Sequence, residues 1–100
     1  MPIYSIWESH FPPQSVEKGL AVTKAIWTDM AAYVGYLDHI VLVDEDEPGH
    51  VLVVSRWASR MHADDVLRRY RAHPNAQAAD RLVTEPRRRF VARRAGDNAA

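Results

Sequence analysis

The chain is 100 residues long, with 13 basic and 13 acidic side chains, six prolines and no cysteine. At this size about 65% of the unfolded chain's surface is buried on folding, enough for one core and one domain. The missing thiols exclude a disulfide scaffold, a zinc finger, a thiol nucleophile and a thioredoxin-type redox site. No apolar run approaches the roughly 18–20 residues of a membrane span, and Met1-Pro2-Ile3-Tyr4 lacks the basic-then-apolar pattern of a secretory signal. A soluble, cytoplasmic domain over residues 1–95 is expected, with 96–100 as a frayed tail.

The zero net charge divides unevenly. Residues 1–50 hold two lysines and eight acids, whereas residues 51–100 hold eleven arginines and five acids. Halves of opposite sign attract one another within a chain or between two chains, so the arginines are expected to meet the acidic half, Asp44–Glu47 included.

Along the chain, period-two alternation marks Ile3–Phe11 as a first strand, with Ile3, Ser5, Trp7, Ser9 and Phe11 on one face. Pro12-Pro13 ends it, since proline supplies no ladder N–H. Val16, Leu20, Thr23, Trp27, Met30 and Val34 then form an apolar helical stripe, and Gly35 suits a left-handed C′ position. Ile40-Val41-Leu42-Val43, within Tyr36–Asp44, is β-branched and too short for a helix, hence a second strand. Val51–Trp57 is the third, joined to the second through the Asp44–Gly49 turn. Ser59 caps a second helix with Ala63, Val66, Leu67 and Tyr70 inward. His73-Pro74-Asn75 breaks it, a short alanine-rich extension follows, and Arg87–Arg94 is the fourth strand.

The order βαββαβ folds, with right-handed crossovers, into a four-stranded antiparallel sheet with its helices on one face, the ferredoxin-like α+β arrangement. The other face would expose Ile6, Ile40, Leu42, Leu52, Val54 and Phe90. A contiguous apolar patch of that kind marks an interface, and a homodimer packing sheet to sheet is the simplest closed solution.

The segment Val53-Val54-Ser55-Arg56-Trp57-Ala58-Ser59 resembles the V-x-x-W-x-S strand-to-helix junction of antibiotic biosynthesis monooxygenase-like domains. Gly35-Tyr36-Leu37 is similar to their P-G-F/Y-L segment before strand two, as is His73-Pro74 before a short alanine-rich helix. The resemblance spans about residues 2–94 and implies a dimeric α+β barrel with a ligand cavity in each subunit between sheet and helices. It also implies one of several activities: cofactor-independent oxygenation of polycyclic phenols to quinones, haem degradation, or no known reaction. Neither catalytic set carries over intact. Where quinone-forming members place Asn and Tyr, this chain has Val53 and Ala63. Where the haem-degrading branch places Asn, a second Trp and His, it has Trp7, Val66 and, near the third place, His73.

Among the chemical residues, Trp7 and Trp57 fall among small neighbours and could wall a flat, aromatic-lined pocket for a planar ligand. Trp27, on the helix stripe, reads as core. A general base is sought among the five histidines. His39, read as lying between Leu37 and Val41 on one strand face, would be kept neutral by burial and able to accept a phenolic proton; His73 is the second candidate. No metal site is expected, because His10, His39 and His50 lack short ligand spacing. RNA binding is set aside, since strand three has neither the stacking aromatics nor the glycine of an RNA-recognition domain. The sequence thus reads as a homodimeric, cofactor-independent monooxygenase-like enzyme for an aromatic or polyketide-type small molecule, with no nucleic-acid or membrane partner. The alternatives are a module that binds or degrades haem, or binds another planar metabolite, with His73 as axial ligand, and a dimer without catalysis.

Overall fold

The computed structural model describes residues 1–96; most of the expected tail, residues 97–100, lies outside the described residues. The chain runs β1 (Ile3–His10), a single 3-10 turn (Pro13–Ser15), α1 (Val16–Met30), β2 (Tyr36–Val43), β3 (His50–Trp57), α2 (Arg60–Tyr70), α3 (Pro74–Leu82) and β4 (Arg88–Ala92). The strands form one antiparallel sheet in the order β2-β3-β1-β4, with β1 and β3 at its centre. This is the ferredoxin-like α+β arrangement expected from the element order. No helix among the described residues is long and apolar enough to cross a membrane.

Register assigns the paired strand residues to faces. Directly opposed residues share a face, so Ser5, Trp7 and Ser9 of β1 lie beside Val51, Val53 and Ser55 of β3, with His39, Val41 and Val43 of β2 and Arg89 and Val91 of β4 on the same side. Trp57 and Val53 join Ile26, Trp27 and Met30 of α1, Ala63, Val66 and Tyr70 of α2 and Ala76 and Ala79 of α3 in one core. All three helices therefore cover this face. The register puts Ile6, Ile40, Leu42, Leu52, Val54 and Phe90 together on the other, as the sequence suggests. Ile40 remains 55% exposed, Leu42 43% and Phe90 42%.

Local chemistry sets the ends of the elements. Phe11 keeps a backbone bond to Gly49 before Pro12-Pro13 stops the ladder. Its ring then lies on Gly19, where a Cβ would come within 2.6 Å, which draws the start of α1 onto the sheet. Ser59 caps α2 by accepting from the His62 N–H. The alanine-rich stretch is a separate helix, α3, with Pro74 in its first turn and the small Ala76 and Ala79 buried.

Two expectations need correction. α1 ends at Met30, not near Val34, because Ala32, Tyr33 and Tyr36 make tight i→i−3 bonds that unwind it; Val34 is 81% exposed. Gly35 has φ +92°, the left-handed conformation anticipated, but it serves the start of β2, its carbonyl accepting from the Ala58 N–H. Within the chain, moreover, no arginine among the described residues pairs with Asp44–Glu47. Arg60 and Arg89 pair with Asp64, Arg68 and Arg69 with Asp65, and Arg87 with Asp80, all within their own half. Among the described residues, the arginine pairs that join the halves are Arg56 with Asp38 and Arg88 with Glu8. Sequence neighbours at helical spacing, and the β4 register, reach the arginines before the β2–β3 loop can.

Candidate functional site

Between the sheet and the three helices lies a cavity of about 380 Å³. Ser5, Trp7 and Ser9 of β1 and Val53 and Trp57 of β3 form its floor; Ile26, Trp27 and Met30 of α1 and Val66 and Tyr70 of α2 form its walls. Arg71, Asp80, Arg87 and Arg89 supply its charged groups. A mostly apolar, aromatic-walled space with a few polar groups is the usual form of a small-molecule site.

The structure places Trp7 and Trp57 along this cavity, in different settings. Trp57 is 1% exposed, its indole N–H donates to Ser55 Oγ at 3.0 Å, and the Ser55 hydroxyl donates to the Ser5 carbonyl at 3.1 Å. Tyr36 meets it edge-on at 5.7 Å. Its donor is thus spent inside the sheet, and its ring lies along the cavity floor. Trp7 is partly exposed and carries the Arg87 guanidinium 4.9 Å from its ring centroid, a cation–π contact.

Arg87 and Arg89 are the site residues that sequence reading missed. Both side chains are only 16% exposed. Arg87 donates from Nε to Asp80 Oδ1 at 2.8 Å; Arg89 donates from Nη2 to the Ala63 carbonyl at 3.3 Å and to Asp64 Oδ1 at 3.1 Å. Burial opposes the Asp64 charge, but hydrogen bonds from Arg89 and Arg60 outweigh it and hold the carboxyl below its ordinary value. The signal was available: placing Phe90 on one face of β4 puts Arg89 on the other, under the helices.

The two histidines proposed as bases are not in the cavity wall. His39 shares the helix-covered face, yet a bulge between Tyr36 and Asp38 leaves Leu37 44% exposed and makes Tyr36 its neighbour instead. The His39 Nδ1 lies 2.5 Å from the Tyr36 hydroxyl, beside the Trp27 ring. Burial, with the Asp38 charge adding to it, pushes the Tyr36 phenol up. His73 caps α3, its Nδ1 accepting from the Asn75 N–H at 3.0 Å, and stacks on the Tyr70 ring at 4.4 Å. Its Nε2 lies 3.8 Å from Asp29 Oδ2. Tyr70 donates to that same oxygen at 2.7 Å; burial first, then this bond, pushes the phenol well above its ordinary range. His73, held as the α3 cap and stacked on Tyr70, thus stands beside the cavity rather than in its wall.

No family model and no curated protein sequence matches the chain. Solved structures do. It is similar to SnoaB from Streptomyces nogalater, described as a cofactor-independent oxygenase, at 16% identity and TM-score 0.79 over 97% of this chain and 98% of that one. A Deinococcus radiodurans protein assigned as an antibiotic biosynthesis monooxygenase matches at 21% identity and TM-score 0.74, covering 100% and 97%. A conserved protein from Methanosarcina mazei Go1 matches at 12% identity and TM-score 0.80, covering 95% and 94%. At these identities the likeness is one of fold, and the fold is that of the antibiotic biosynthesis monooxygenase-like domains.

Proposed function

We propose that this chain, starting from a fold of the antibiotic biosynthesis monooxygenase type, is a cofactor-independent oxygenase that takes a planar aromatic substrate carrying an ionisable hydroxyl. The observation that carries the reading is the Arg87–Trp7–Arg89 wall: an aromatic face beside two largely buried cations in an otherwise apolar cavity. Apolar walls accept the ring system, and the guanidiniums stabilise its phenolate or enolate, strongly so at low local dielectric. That stabilisation lowers the substrate's own pKa, so a weak acceptor suffices; Asp80 on the cavity wall, or water at the mouth, takes the proton. The electron-rich carbanion then reduces O2. The carbon–oxygen bond forms as a hydroperoxide, and its collapse turns the CH2 into C=O with release of one water. The substrate supplies the electrons, so the balance closes without a flavin or metal.

The SnoaB likeness supports this chemistry at the level of fold. The open sheet face supports a homodimer, whose second copy would cover Ile40, Leu42 and Phe90.

The test is oxygen uptake with anthrone-type phenols, followed by product identification. Uptake with one water formed per ketone is expected. Loss of a charge-assisted hydrogen bond, about 1.5–3 kcal/mol, should lower kcat/KM roughly 10- to 150-fold in Arg87→Gln. Absence of both uptake and saturable binding across the panel would refute the reading. For the assembly, sedimentation should give about 23 kDa, twice the 11.4 kDa chain, and Leu42→Asp should give monomer; a wild-type monomer would overturn the dimer.

A further inference from the structure

On the sheet face opposite the cavity, the β1–β3 register sets His10 directly against His50, with Glu8 two residues before His10 and on the same face. One ligand atom from each of Glu8, His10 and His50 falls within 4.8 Å of the others. The His50 Nε2 is 2.7 Å from Glu8 Oε2, and the His10 Nε2 is 4.0 Å from that same oxygen. These separations lie on either side of the ~3.4 Å that tetrahedral ligation at about 2.1 Å would give. The side chains are sheltered, at 25% exposure for His10, 19% for His50 and 18% for Glu8.

The surroundings favour a cation. Asp44 Oδ2 is 2.8 Å from His50 Nδ1, while its Oδ1 is held by the backbone N–H groups of Asp46 and Glu47. A carboxylate on the far nitrogen fixes the imidazole so that Nε2 faces the ion, as in metal-ligating histidines generally. Glu47 and Glu85 lie 3.6 and 3.8 Å from the two nitrogens of His10, and Arg88 lies 3.6 Å from Glu8 Oε1, leaving Oε2 to the ion. Three further carboxylates, Asp44, Glu47 and Glu85, thus surround the group against one guanidinium. The two imidazoles are stacked parallel, with centroids 4.4 Å apart. In-plane lone pairs of parallel rings do not converge, so His10 must turn about its Cβ–Cγ bond, and its contacts are long enough to permit that.

The geometry points to Glu8, His10 and His50 as a three-ligand site for a divalent transition metal, with Asp44 as the group that orients His50. Two nitrogens and one carboxylate suit zinc, cobalt or nickel rather than calcium or magnesium. The ion would tie β1 to β3 and, through Asp44, to the loop between β2 and β3. Trp7 and Ser9 point to the cavity while Glu8 and His10 point away, so the site stands or falls independently of the oxygenase reading.

The full-length chain, stripped with chelator, is titrated with Co2+ and followed by its visible absorption, then competed with Zn2+. Saturation at one ion per chain, displacement by Zn2+ and a rise in Tm with Zn2+ are expected. Asp44→Asn should weaken binding about 10- to 100-fold, and Glu8→Gln with His50→Asn should abolish the Co2+ spectrum while far-UV circular dichroism stays unchanged. A wild-type titration without saturation overturns the proposal whatever the variants do. So does a spectrum that survives in the Glu8→Gln, His50→Asn chain, which would place the ion on other histidines.

Discussion

Trp57 and Trp7 are both cavity tryptophans, and their burial separates what each contributes. Removing the Trp57 ring takes about 200 Å² of apolar surface out of the core, near 5 kcal/mol at 25 cal/mol per Å² as an upper bound. Large-to-small changes of this kind usually cost about 3–5 kcal/mol. Against a total stability of about 5–15 kcal/mol, Trp57→Ala should leave the chain marginal or unfolded. Trp57→Phe keeps most of the ring area and loses the bond from the indole N–H to Ser55 Oγ. The Ser55 hydroxyl still donates to Ser5, so the cost is about 1–2 kcal/mol, or roughly 5–15 °C in Tm for a chain of this length. Trp7→Leu, at a partly exposed position, should cost less than Trp57→Phe while weakening aromatic ligand binding more. Urea unfolding followed by far-UV circular dichroism measures all three on one scale, with an unchanged m-value as the condition for comparison. If Trp57→Ala lost under about 1 kcal/mol, or Trp7→Leu proved the more damaging to stability, the assignment of Trp57 to the core would be refuted.

Gly35 lies at φ +92°, and a Cβ there would overlap the His62 ring. Gly35→Ala should cost at least about 2 kcal/mol, because the left-handed conformation alone costs about 1–2; a Tm within 3 °C of wild type, on the order of 0.5 kcal/mol, would contradict this. In chelator, the Asp44–His50–Glu8 chain should shape stability against pH. Hydrogen bonds to Asp44 and then Glu8 raise the His50 pKa above 6.5, so its contribution is complete below that value and is lost as pH rises through the raised folded pKa. The bond to His50 lowers the Glu8 and Asp44 pKa values from 4.5 and 3.8, so theirs is present above those values and is lost as pH falls. Stability from this cluster should therefore plateau between about pH 4.5 and 6.5. Denaturation of wild type and His50→Asn at pH 6 and pH 9 should show a shallower decline in the variant; equal slopes would count against the coupling.

Patterns of short range were legible in the chain itself. Alternation in Ile3–His10, the Val51–Trp57 strand after its turn, the stripe through Thr23, Trp27 and Met30, the Ser59 cap and the left-handed Gly35 each follow from neighbours a few residues apart, because local patterns repeat over that distance. They define the βαββαβ order, and with the handedness of crossovers the sheet and its apolar outer face follow. The meeting of distant residues was not legible. Which histidine faces which partner depends on register and on a bulge: one extra residue after Tyr36 sets Tyr36 rather than Leu37 beside His39. The tight turns after Met30 expose Val34, and His73 becomes a helix cap because its Nδ1 meets the Asn75 N–H. Arg87 and Arg89 read as partners for the acidic half, yet β4 pairs at the β1 edge under the helices and places Arg89, with Arg87 just before the strand, in the cavity beside Trp7. Glu8, His10 and His50 span more than forty residues of sequence, and only the β1–β3 ladder, with its 4.7–4.9 Å strand spacing, makes them neighbours.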